Sequence, residues 1–185
     1  MKNFYTFMNA GQHIAVLGGS DIKDVEVIKI SYEGVVSNSS CHLPKFGIRN
    51  YGMLFRVKEA ATSNYMICGG WTYNAINQCQ ELNPRSLEWE VRSPMKKERY
   101  EHAMTTASNQ TRYVCGGYDE SITELKSCEV KKMDEDWSFI KDLPTPLTWH
   151  CMIGTEDSIY AIGGNDGSVS EKLKNIFIFD QSFLL

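Results

Sequence analysis

Six cysteines and four histidines are the residues of this 185-residue chain best suited to metal or redox chemistry. Their spacing argues against both uses. The cysteines are Cys41, Cys68, Cys79, Cys115, Cys128 and Cys151, and none forms the Cys-x-x-Cys pair of a structural zinc site. Most fall in apolar runs, where a thiol behaves as a small hydrophobe. Cys68/Cys79 and Cys115/Cys128 fall on neighbouring predicted strands, so a disulfide is conceivable for each pair. The stretch Met1 to Asn9 is too short and too polar for a secretory signal, which favours free thiols. His102 and His150 occupy matching places in the chain, and paired imidazoles raise a metal. Two ligands are too few, however, and His13 and His42 lie elsewhere. No nucleophile–base motif or phosphate-cradling loop is present, and Gly164-Asn165-Asp166-Gly167 is a turn sequence. The expectation is a chain with no catalytic residues, no metal and no cofactor.

The elements that position these residues are set by a phrase that recurs four times, a short apolar run entering a glycine pair. It ends at Gly18-Gly19, Gly69-Gly70, Gly116-Gly117 and Gly163-Gly164, and the first glycines are 51, 47 and 47 residues apart. A fixed period of this size marks a repeat architecture. Each run, rich in Ile, Val and Tyr and stopped by glycine, is a short buried strand. A second strand-like run follows each pair. Trp89 and Trp137 each open a further one, and prolines at 44, 94, 144 and 146 mark turns. That content is four short antiparallel strands per repeat, one propeller blade. Ser121 to Met133 also fits an amphipathic helix, but the repeat register makes it strand.

The apolar-Gly-Gly phrase, the tryptophan about twenty residues later and the stretch Arg99-Tyr100-Glu101-His102-Ala103 resemble the kelch repeat. The resemblance covers nearly the whole chain. Val35-Val36 stands where the first repeat should carry its tryptophan, and the fourth reaches Asp180-Gln181 without one. The implied fold is all-β, a kelch-type β-propeller of about four blades. Residues 1–185 form one domain, with blades near 1–43, 44–94, 95–145 and 146–185. The last lacks its outer strand, so the expectation is an incomplete ring, an open arc that further kelch blades or self-association would cover. With strands labelled a to d from the axis outward, His102 and His150 begin strand a, where both could face the central channel.

Hydrophobic residues make up 42% of the chain, enough for a core, and the net charge of −4 is interspersed. Neither nucleic acid nor a membrane is an expected partner, and no apolar run approaches the roughly 20 residues that span a bilayer. The expected location is cytoplasmic.

In a meander blade the b–c loops and the inter-blade d–a loops emerge on one face. Kelch substrate adaptors dock partner peptides there. Carried over by position, the resemblance implies partner contact by Trp71, Tyr73, Tyr118, Asp119, Asn165 and Asp166 from the b–c loops, and by Asn50, Tyr100, Glu101 and Trp149 from the d–a loops. Tyr, Trp and Arg are the usual anchors of such faces. The eight glycines of the four pairs, Gly18, Gly19, Gly69, Gly70, Gly116, Gly117, Gly163 and Gly164, are expected to be structural. So is Arg99, which should hold its turn through carbonyls, and Trp89 and Trp137 should pack between blades. The resemblance implies a protein-binding module like the recognition propeller of cullin-3 ubiquitin-ligase adaptors, although these 185 residues hold no BTB or BACK segment. The alternatives are an actin or cytoskeletal scaffold and, in a different class, a kelch-propeller enzyme such as a sugar oxidase or sialic acid epimerase. The copper constellation an oxidase needs is not recognisable here.

Overall fold

The computed structural model describes the backbone of residues 6–10, 13–17, 25–30, 36–39, 53–58, 63–82, 88–107, 110–155, 157–167 and 176–180, and side chains only within 66–81, 88–107, 110–155 and 157–167. Every regular element among them is a strand, and no helix is long and apolar enough to cross a membrane. The first sheet contains β1 (Thr6–Ala10), β2 (His13–Leu17), β3 (Val25–Ile30) and β4 (Val36–Ser39). The second contains β5 (Met53–Lys58), β6 (Ser63–Cys68), β7 (Cys79–Leu82) and β8 (Trp89–Arg92). The third contains β9 (Ala103–Thr106), β10 (Arg112–Cys115), β11 (Cys128–Lys131) and β12 (Ser138–Ile140). In the fourth, the described residues form β13 (Cys151–Gly154), β14 (Ser158–Ile162) and β15 (Ile176–Asp180).

Each sheet is an antiparallel meander in chain order. The first strands of successive sheets lie side by side, β1 by β5, β5 by β9 and β9 by β13. These are the inner strands of a propeller, and the sheets are its blades. The segment with the helical pattern forms a loop and β11. The same register recurs in each blade: Cys68 faces Met53, Cys115 faces Ala103 and Ile162 faces Cys151.

Blade three shows how the core is divided. Alternate residues of a strand point to opposite faces of the sheet. One face carries Met104, Val114 and Trp137, which pack with Met66, Cys68, Cys79 and Met95 of the second blade and its following loop. The other carries Ala103, Tyr113, Cys115, Cys128 and Val130, which pack with Met152, Ile159 and Ala161 of the fourth. Among the described residues the hydrophobic core therefore lies in two seams, between blades two and three and between blades three and four. Trp137 is fully buried in its seam, whereas Trp89 is half-buried at the head of β8.

The expectation of free thiols fails at both candidate pairs. Cys68 and Cys79 are bonded, as are Cys115 and Cys128. The register is the cause. Each pair lies directly opposite on adjacent strands, next to the position where a glycine N–H takes the backbone hydrogen bond, Gly69 to Gln78 O and Gly116 to Ser127 O. Such non-hydrogen-bonded positions bring Cα atoms closest, here 4.1 and 4.2 Å.

The two histidines do not face the channel. Both are buried, and both plug seams. At Gly69 a Cβ would stand 2.6 Å from His102 Cε1, and at Gly116 it would stand 2.9 Å from His150 Cε1. The imidazole of each blade thus occupies the space left by the first glycine of the blade before it. The second glycine of its own blade makes room for its Cβ, Gly117 for His102 and Gly164 for His150. Burial pushes the imidazole of His102 well below its ordinary value and that of His150 to about 4. Among the described residues no group of three or more potential metal ligands occurs.

Candidate interaction face

The b–c and d–a loops are joined by a repeated set of backbone bonds. After blade two, Met95 N–H donates to Asn77 O, Arg99 N–H to Ile76 O, and Gly70 N–H to Arg99 O. After blade three the same set recurs as Leu143 to Lys126, Leu147 to Leu125, and Gly117 to Leu147. Both of these d–a loops are therefore pinned to the b–c loop of the blade they leave.

Arg99 adds a second attachment. Its backbone belongs to the blade-two set, while its side chain enters blade three. Nη1 donates to the carbonyls of Gly116 (2.8 Å) and Ser127 (3.0 Å), and Nη2 to Glu129 Oε1 (2.8 Å) and Ser127 Oγ (3.3 Å). Glu129 also accepts from the amides of Lys96 (2.6 Å) and Lys97 (3.0 Å). Both side chains of this ion pair are fully buried. Burial pulls the guanidinium down from its ordinary value, and Glu129 opposes that. Glu129 escapes sequence reading because it looks like the outward charge of a strand, 30 residues from its partner.

On the surface above this framework four predicted contact residues come together. The ring of Trp71 meets Tyr100 edge-on at 4.9 Å, Tyr100 meets Tyr118 at 5.5 Å, and Tyr118 meets Trp149 edge-on at 6.4 Å. The result is a ladder of alternating b–c and d–a residues across three blades. Its geometry comes from the backbone: Tyr100 and Tyr118 exchange both hydrogen bonds (3.0 and 2.8 Å), as Thr148 and Asn165 do in the next blade (2.9 and 2.8 Å). Trp71, Tyr100 and Tyr118 are half-buried, and Trp149 is 53% exposed.

Glu101 lies beside the ladder. Its carbonyl accepts from Trp149 N–H at 3.1 Å, and its carboxylate accepts from the Trp149 side chain. Burial pushes this carboxyl up. Glu101 and Trp149 hold matching positions and share a left-handed backbone, φ 54° and 53°. Such values are uncommon outside glycine and collect at functional sites. The Tyr118 hydroxyl donates to Glu124 at 3.3 Å, a residue the motif comparison does not single out.

The other predicted residues are placed differently. Asp119 Oδ1 accepts from the amides of Ser121 and Thr123, both at 3.0 Å, and Oδ2 pairs with Lys97, so its side chain shapes its own loop. Asn165 Oδ1 accepts from Gly167 N–H. Asp166 is half-buried beside it. Tyr73 stands away from the ladder, 84% exposed. Asn50, Gly18 and Gly19 lie outside the described residues. The six remaining paired glycines all have positive φ.

No family model matches the chain. Curated relatives do. Kelch-like protein 36 of Bos taurus is 30% identical over 105 residues, which is 55% of this chain and 17% of that protein. Kelch-like protein 26 of Danio rerio is 31% identical over 83 residues, 44% of this chain and 13% of that one. Alpha-scruin of Limulus polyphemus is 28% identical over 109 residues, 54% and 11%. The chain thus matches less than a fifth of the length of each. A solved structure, that of YjhT, superposes on 97% of this chain and 63% of its own with a TM-score of 0.75 at 14% identity, a likeness of fold. The recurring Gly-Gly register and the meander blades around inner strands are those of a kelch-type β-propeller, and the chain is similar in sequence to kelch-repeat proteins.

Proposed function

We propose that the chain is a non-catalytic protein–protein interaction module that binds a partner segment where the b–c and d–a loops meet. The observation that carries the reading is the Trp71–Tyr100–Tyr118–Trp149 ladder. Large rings held at fixed spacing offer contact area at little entropic cost, and such residues anchor interfaces. Similarity to kelch-like proteins supports the finer form, in which the partner is a substrate presented to a cullin-3 ubiquitin ligase. Recruitment of the ligase would then rest on segments outside these 185 residues.

The test is affinity capture from cell lysate with wild type beside Trp71→Ala/Tyr118→Ala, both checked for folding by thermal melting. A partner retained by wild type and lost by the folded double variant supports the reading. Its identity separates a ligase substrate from a cytoskeletal scaffold. A double variant that keeps every partner overturns the reading.

Cytoplasmic action is part of the proposal, and the bonded cysteine pairs weigh the other way, since disulfides persist mainly outside the cytosol. Alkylation trapping in intact cells decides between them. Pairs that alkylate without reductant fit the cytoplasm, and pairs that resist place the chain in an oxidising compartment.

A further inference from the structure

We propose that the ladder reads a cationic side chain, an arginine or lysine of an extended partner segment, received over the Tyr118–Trp149 step with Glu101 as its counter-charge. The inference rests on the interaction-face reading above and names the chemistry of the partner.

Three observations carry it. The Tyr118–Trp149 step is the widest of the ladder, 6.4 Å between centroids, and Trp149 is its most exposed ring. A cation over an aromatic face is drawn to the ring's negative quadrupole, and tryptophan is the strongest such partner. Next, Glu101 sits at this step, bonded to Trp149 through both its carbonyl and its carboxylate. Among the described residues no cation pairs with that carboxylate. The nearby cations are engaged elsewhere: Arg99 is buried on Glu129, and Lys97 holds Glu98 (2.8 Å) and Asp119 (3.3 Å). Finally, the carboxylate of Glu124 stands at the hydroxyl of Tyr118, whose hydrogen bond it accepts. An incoming cation therefore meets rings and carboxylates together, whereas an acidic segment meets like charge. Charge complementarity selects the first.

The experiment pans a random short-peptide display library against the full chain. Enriched peptides are then synthesised and measured by fluorescence anisotropy, each beside its own Arg→Gln or Lys→Gln version. The expected result is enrichment of Arg or Lys and a roughly tenfold loss on neutralising that residue, the scale of a partly desolvated cation–π contact with a counter-charge. Glu101→Gln, which keeps the size and hydrogen-bonding reach of the side chain, should weaken binding about fivefold or more. Binding should also fall as salt rises. The neutralised peptide gives a readout that no misfolding of the protein can imitate. If binders are lost by Trp71→Ala/Tyr118→Ala but carry no required cation and ignore Glu101→Gln, the face reading stands and the cationic assignment is overturned. If no enriched peptide depends on Trp71 and Tyr118, the face reading is overturned and this inference with it.

Discussion

Removing the carboxylate of Glu129 should unfasten blade three from the loop before it. In Glu129→Leu the Arg99 guanidinium stays buried with no counter-charge, and the amides of Lys96 and Lys97 lose their acceptor. Breaking a buried pair from one side costs about 3–5 kcal/mol. Each amide adds about 1 kcal/mol if water does not replace the carboxylate. Arg99→Leu alone should also destabilise, because Glu129 remains buried. The double variant should be less damaging than the sum, with a coupling of about 2–3 kcal/mol. Blade four supplies the precedent: Leu147 makes the backbone bonds that Arg99 makes, Phe177 holds the register position of Glu129, and Pro144 stands where Lys96 would need an acceptor for its N–H. Urea unfolding followed by tryptophan emission measures all four corners of the cycle, and Trp137 reports from the same seam. Additive effects, or a Glu129→Leu midpoint equal to wild type, would refute the claim that the pair clamps the blades.

Trp137→Ala should cost about 3–5 kcal/mol by opening a cavity between blades two and three, read as a shift in urea midpoint; a wild-type midpoint would mean the blade assignment is wrong. Gly116→Ala should cost about 2–5 kcal/mol, since its Cβ would overlap the Leu147 carbonyl and crowd His150 at φ 66°. Gly167→Ala, whose Cβ would meet only a carboxylate oxygen of Glu124 at 3.0 Å, should cost about 1–2 kcal/mol in the same assay. Stability should also fall with acid. The folded chain holds His150 at about 4, below the unfolded value of about 6.5, so the unfolded chain takes up the proton first. Stability contributed by neutral His150 is present above about pH 6.5 and lost as pH falls towards about 4, at most about 3 kcal/mol. His102 shifts in the same direction, through burial first and then the Arg99 charge. His150→Gln should flatten the dependence of urea midpoint on pH, and an unchanged slope would count against a neutral imidazole in the seam.

The strands were legible because their signal is local and repeated. The apolar runs that enter the four glycine pairs form β2, β6, β10 and β14, and the runs marked by Trp89 and Trp137 form β8 and β12. The side chains that fasten one blade to the next were not. A period places His102 and His150 at the start of the inner strand, but it does not say whether an imidazole points to the axis or into the seam. The decisive neighbours, Gly69 and Gly116, lie more than thirty residues earlier. Glu129 reads as an exposed strand charge until Arg99 is seen to reach it. The aromatic residues of the face could be named by their place after each glycine pair. Their contact could not, because Tyr100 and Tyr118 meet through a backbone pairing between two loops. The cysteine pairs turn on register: opposition at a non-hydrogen-bonded position is structural information, whereas the free-thiol expectation rested on compartment.

The seating of each imidazole against two glycine pairs bears on how such a chain can be rebuilt. His102 needs Gly117 from its own repeat and Gly69 from the repeat before; His150 needs Gly164 and Gly116. A blade transplanted as a single repeat would carry its imidazole away from the notch that receives it. It would also present its own first glycine to a stranger. The portable segment is therefore cut through the middle of two sheets, from one glycine pair to the next, so that notch and plug travel together. Chimaeras joined at that cut should keep neighbouring blades in register, while those joined at the loops between blades should need a compensating change at the seam.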